Sequence, residues 1–117
     1  MTILRNAFTS TLIDEVSHEG NNPLRKVRLY EKNDFKTPLD FIDYVMVPPN
    51  TTIGIHTHDN NEEIYFILEG TGEMLIGNDK VNIKEGDVIV NPAYGTHGLI
   101  NNSDDHIKIF IFQVNAD

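Results

Sequence analysis

From Leu39 onward the chain is a succession of short β-rich runs broken by turn-forming residues, and this rhythm restricts the fold more than any other feature. Leu39 to Val47, Thr52 to His58, Glu63 to Leu68, Gly72 to Ile76, Val81 to Ile83, Val88 to Val90, Gly98 to Asn101 and His106 to Val114 read as strands. Upstream, Lys26 to Tyr30 alternates polar and apolar residues and adds another. Pro48-Pro49-Asn50, Gly77-Asn78-Asp79-Lys80, Glu85-Gly86-Asp87 and Asn102-Ser103-Asp104-Asp105 break the ladder between them. Period-two runs with frequent turns and almost no helical period define an all-β sandwich or barrel. In the last strand Ile107, Ile109 and Ile111 fall on one face, and Phe110 and Phe112 on the other. Both faces are apolar, so both need cover, from the N-terminal arm or from a second subunit.

At 117 residues the chain has room for one domain. We divide it into an arm, residues 1–24, and a barrel, residues 25–117. Within the arm, residues 9–16 are compatible with a helical turn or an edge strand. Net charge is −9 and unevenly spread: residues 1–36 hold six Lys/Arg against five acids, and residues 37–117 hold three against thirteen. Such a field repels phosphate backbones and anionic headgroups, which argues against nucleic acid and membrane partners. There is no apolar run of bilayer length and no apolar leader, so a cytoplasmic protein is expected. Without cysteine, any metal must be held by histidine and carboxylate.

One stretch carries most of such a site. His56 and His58 are two apart, so in an extended strand both imidazoles leave the same face and can converge on one ion. Glu62 and Glu63 follow. A one-residue step reverses the face, so only one of them points where the histidines do. The flanking residues do not decide, because Ile64, Phe66 and Leu68 are apolar on one parity and Tyr65 and Ile67 on the other. Further on, Gly86, Pro92, Gly95 and His97 place a third histidine after an apolar strand and a turn, with Asn101 beyond it.

This pattern resembles the two motifs of the cupin family: His56, His58, Glu63 and Gly70 match the first, and Gly86, Pro92, His97 and Asn101 the second. Two departures stand out. Gly54 lies closer to His56 than the family's leading glycine, and Tyr94 occupies the usual turn-glycine place, with Gly95 one later. The resemblance implies a double-stranded β-helix, a jelly-roll barrel, and a single divalent ion (Fe, Mn, Ni, Cu or Zn) bound by His56, His58, Glu63 and His97. It selects Glu63 over Glu62, which is left as an outer-face carboxylate. Tyr65 shares the parity of Glu63; it is either a packed tyrosine or a catalytic donor to a bound ligand.

The remaining polar residues receive plainer readings. His18 and His106 are expected to be solvated. Asp40 and Asp43 differ in parity, so at most one faces inward, and solvation at the strand edge is the expected outcome. Gly70, Gly86 and Gly95 are read as turn glycines supplying positive φ. The implied function is metal-assisted chemistry on a small oxygen-rich molecule, of dioxygenase, isomerase, cyclase or lyase type. The competing reading is a non-catalytic sugar- or metabolite-binding module. Family members of this size also imply a homodimer.

Overall fold

Each alternating run becomes a strand because its apolar parity needs a core. The computed structural model describes residues 3–116. Among these, ten strands form: β1 (Ile13–Glu15), β2 (Leu24–Glu31), β3 (Leu39–Val47), β4 (Thr52–Thr57), β5 (Asn61–Glu69), β6 (Gly72–Ile76), β7 (Asp79–Ile83), β8 (Val88–Asn91), β9 (Thr96–Ile100) and β10 (Ile107–Asn115). They make a six-stranded sheet in the order β1-β2-β3-β10-β5-β8 and a four-stranded sheet in the order β4-β9-β6-β7. Every pairing within them is antiparallel. The all-β architecture expected from the strand rhythm is the one found. Asp79 and Lys80, expected in a turn, instead open β7, leaving Gly77-Asn78 as a two-residue hairpin with Gly77 at φ 59°.

The core lies between the sheets. Val45, Val47, Ile67, Ile107 and Ile109 from the larger sheet meet Ile53, Met74 and Leu99 from the smaller. Val47, Ile67, Met74, Leu99, Ile107 and Ile109 have no exposed surface. Each such side chain contributes about 1.5–3 kcal/mol by leaving water. Strand register arranges the inner face in rows across β8, β5, β10 and β3: Asn91, Glu63, Gln113 and Phe41 form one, and Ile89, Tyr65, Ile111 and Asp43 the next. The inner face is thus apolar through most of its depth and polar at one end.

The outer face of β10 is covered by the chain's own N-terminal segment. Ala7 and Leu12 pack with Leu29, Tyr44, Leu68 and Phe110 in a second cluster. Phe8 stands edge-on to Tyr44, with centroids 5.5 Å apart. Arg5 reaches the Leu29 carbonyl and pairs with Asp34 at 3.1 Å. The cover is partial, for Phe66, Val88 and Val90 remain exposed farther along the same face.

After β1 the chain crosses from the larger sheet to the smaller. Residues 13–20 form a strap whose first part pairs with β2 and whose end, the 3-10 turn Ser17–Glu19, packs on β4. Beyond it, the Asn21 amide donates to Thr52 Oγ1 at 2.7 Å, and the Thr52 amide donates to the Asn21 carbonyl at 3.0 Å. The approach is so close that a Cβ on Gly54 would lie 1.9 Å from the His18 carbonyl oxygen. At the Pro92 turn the expectation for Gly95 fails: Tyr94 takes the left-handed conformation at φ 60°, while Gly70 and Gly86 have positive φ as expected. What Gly95 supplies is room, since its Cβ would come within 2.9 Å of the Pro92 carbonyl oxygen.

Gly54→Ala is expected to cost about 1–3 kcal/mol, the range for an inserted group that packed backbone cannot evade. Urea denaturation reads this directly, and an unchanged midpoint contradicts the close approach of strap and strand.

Candidate metal centre

Four side chains from three strands and one strand end converge at the polar end of the barrel. His56 and His97 are direct cross-strand partners on β4 and β9. His58 lies one residue past β4, where its amide donates to the Gly95 carbonyl at 2.9 Å. Glu63 comes from β5, so the group draws members from both sheets. One donor atom from each of the four lies within 4.8 Å of every other. The parity question resolves by burial, for Glu62 is exposed whereas Glu63 is buried and faces the histidines.

The spacing fits an ion. His58 Nε2 is 2.7 Å from His97 Nε2, and Glu63 Oε1 is 3.4 Å from the first and 3.2 Å from the second. Ligand atoms on adjacent positions of an octahedral ion with bonds of about 2.1 Å are about 3.0 Å apart. Hydrogen bonds at the other ring nitrogens set two tautomers. His56 Nδ1 donates to the Gly54 carbonyl at 2.8 Å, and His58 Nδ1 donates to Asn61 Oδ1 at 2.8 Å, leaving both Nε2 atoms as lone pairs. His58 Nε2 faces His97 Nε2 at 2.7 Å, a separation that calls for a proton or a cation between the two nitrogens. Burial pushes His56 down to about 4, so it is neutral at pH 7. The Glu63 carboxylate 3.4 Å away, working against burial, raises His58. For Glu63, burial acts upward, but the close approach and charge of His58 and His97 hold it at about 2. A proton on His58 Nε2, favoured by the Glu63 carboxylate, would compete with an ion for that nitrogen.

The group borders a cavity of about 370 Å³. His58, Glu63, Tyr65 and Gln113 line it near the cluster, and Lys26, Arg28 and Asp43 line it from the β2 and β3 side. Tyr65 is buried with its ring edge-on to His97 at 5.5 Å. Burial, then Glu63, pushes its hydroxyl well above 10, so it keeps its proton and can serve as a hydrogen-bond donor.

Asp43 departs from its sequence reading. It is not solvated: it is 3% exposed and takes two bonds from Arg28, at 2.9 and 3.1 Å. Asp40 accepts from Gln113 at 2.8 Å. His18 is exposed as expected, and one face of its ring stacks on His56 with centroids 3.5 Å apart, at the cavity wall. His106 is exposed as expected. Asn61, Gln113, Lys26 and Arg28 escaped the sequence reading. Only Asn61, a turn amide three places after His58, left a local signal there.

A family model described as the cupin domain matches residues 43–112. An uncharacterized protein of Methanocaldococcus jannaschii is 35% identical over 69% of this chain, which spans 65% of that protein's length. An oxalate-binding protein of Thermotoga maritima is 26% identical over 76% of this chain and 74% of its own. Among solved structures, a predicted oxalate decarboxylase from Thermotoga maritima superposes with a TM-score of 0.93 at 21% identity, covering 97% of this chain and all of that one. A Cupin 2 conserved barrel domain protein from Salinispora arenicola gives 0.75 at 21% identity, covering 99% and 90%. These two likenesses concern the fold.

Elemental analysis of protein purified without chelator is expected to find close to one divalent ion per chain, and only background after joint His56→Ala and His97→Ala substitution. Glu63→Gln should weaken metal affinity by about tenfold or more, and Glu62→Gln by less than about twofold. The reverse ranking of the two glutamates contradicts the assignment.

Proposed function

The chain belongs to the cupin family, and from that premise we propose a metal-dependent protein that binds a small oxygen-rich organic acid beside one divalent ion and acts on it chemically. The observation carrying this reading is the convergence of His56, His58, Glu63 and His97 on a point that opens onto a cavity. Three neutral imidazoles and one carboxylate suit Fe, Mn, Ni, Cu or Zn and leave positions for an exogenous ligand. Such an ion, when bound, supplies a Lewis-acid or redox centre that polarises a ligand oxygen. The chain's own residues do the rest. Tyr65 donates a hydrogen bond into the cavity, Gln113 adds an amide, and the apolar floor keeps the ligand small. In a chain of net charge −9, Lys26 and Arg28 bring positive charge to the cavity wall against Glu15 and Asp43, and the charge of an ion held by Glu63 would outweigh that carboxylate, so an organic anion would meet no net repulsion there.

The relative named for oxalate binding supports a carboxylate ligand. The same name supports the second reading, a non-catalytic binding module, and turnover of any bound acid separates the two. Small dicarboxylates, hydroxy acids, keto acids and sugars screened by thermal shift should stabilise the metal-loaded protein and leave the chelated protein unmoved. A ligand at 100 times its Kd stabilises by about 2.7 kcal/mol, a shift on the order of 10 °C at this size. Equal shifts with and without metal would exclude the ion as the anchor.

We also propose a cytoplasmic homodimer with no nucleic acid or membrane partner. Phe66 pairs with Val88 and Ile64 with Val90 on the part of the outer face that the arm leaves open, and Phe66, Val88 and Val90 are 42%, 61% and 55% exposed. A second copy laid on this strip removes its apolar surface from water. Light scattering should give twice the chain mass at micromolar concentration and the monomer mass for Val88→Lys; a monomeric wild type contradicts the pairing.

A further inference from the structure

Among the described residues, every buried side-chain nitrogen or oxygen without a hydrogen-bond partner belongs to Glu63, His97 or Asn91. The first two are in the ligand group. The third has no assigned role, yet it is 1% exposed and both atoms of its amide, Oδ1 and Nδ2, are unpaired. Leaving a buried polar group unpaired costs about 1–3 kcal/mol, which an apolar side chain of the same shape avoids.

Its place in the fold connects it to the other two. Asn91 is the cross-strand partner of Glu63 in the β5–β8 ladder, so the two side chains leave the sheet on the same face with Cβ atoms about 5 Å apart. It is also the last residue of β8, and the turn Pro92–Gly95 carries the chain from it to β9 and His97. Asn91 and Gln113 flank Glu63 on opposite sides, and of the two only Gln113 lines the cavity.

His97 lacks what the other two histidines have. The Gly54 carbonyl and Asn61 Oδ1 each hold an Nδ1–H and so present Nε2 to the site. The Nδ1 of His97 is buried and has no acceptor. Resting on the metal reading above, we propose that Asn91 is the positioning residue for His97: one buried water accepts the His97 Nδ1–H and donates to Asn91 Oδ1, fixing Nε2 as the lone pair aimed at the ion. A buried water typically makes about three hydrogen bonds to such orphaned groups. The Asn91 Nδ2–H is left to the neighbouring Glu63 carboxylate. One amide thereby steadies a ligand on each sheet.

The test compares wild type, Asn91→Leu and Asn91→Ser, chelator-stripped and then titrated with Zn²⁺ against a competing chelator. Asn91→Leu should weaken zinc binding by about 10–100-fold, the usual effect of losing an outer partner of a metal-bound histidine. Its metal-free Tm should hold or rise, and Asn91→Ser, whose hydroxyl can still meet a water, should recover most of the affinity. Zinc affinity within twofold of wild type in Asn91→Leu overturns the proposal. So does a metal-free Tm more than 5 °C below wild type, which marks a purely structural asparagine. If wild type itself binds no zinc, the metal reading fails, and the link to His97 is judged on its own by imidazole ¹H–¹⁵N correlation spectra of metal-free protein. There the Nδ1–H tautomer of His97 should dominate in wild type and lose ground in Asn91→Leu; identical His97 signals in the two sink it.

Discussion

The alternation of side chains along β5 and β10 is the constraint on which the rest of the structure depends. Ile67 and Tyr65 point inward because Ile109 and Ile111 beside them do, and all four are buried against the opposite sheet. That same parity, continued to the end of β5, turns Glu63 inward where no apolar partner waits. A carboxylate so buried survives only with partners that favour its charge, and His58 and His97 supply them. Core packing therefore aims the carboxylate, and electrostatics sets what may stand opposite it.

Much of this was legible in the sequence, for a definable reason. Strands declare themselves by period and by turn residues, which are local properties, so nearly every run from Leu39 to Val114 became a strand. The choice between Glu62 and Glu63 was not local, because apolar residues stand on both parities of β5. The reason is now visible: Ile64 and Phe66 lie on an outer face that is itself largely apolar, beside Phe112 and Phe110 of β10. Family spacing resolved what hydrophobic pattern could not.

The misreadings share a cause. Asp43 interrupts an apolar run and looks like a solvated edge, but its parity is inward and Arg28 from the adjacent strand neutralises it. Nothing within a few residues of Asp43 announces that arginine. The stacking of His18 on His56 was equally hidden, for its exposed loop folds onto β4 through two glycines far apart in sequence, Gly20 and Gly54. Gly95 illustrates a subtler case, in which the glycine is needed for space and its neighbour Tyr94 carries the unusual dihedral. Each depends on a contact between segments that sequence order keeps apart.

The placement of the four candidate ligand side chains on both sheets has a mechanical corollary. Glu63 belongs to one sheet and His56 and His97 to the other, so whatever the group grips spans the interface as a cross-link would. A chain with no cysteine has no covalent means of tying one layer to another. A tie between Glu63 and His97 closes a loop of about thirty-five residues, and closure of that kind restricts the unfolded chain more than the folded one. An ion held there would stiffen the sandwich at this end and leave the apolar end, held by Val47, Ile107 and Leu99, as it is.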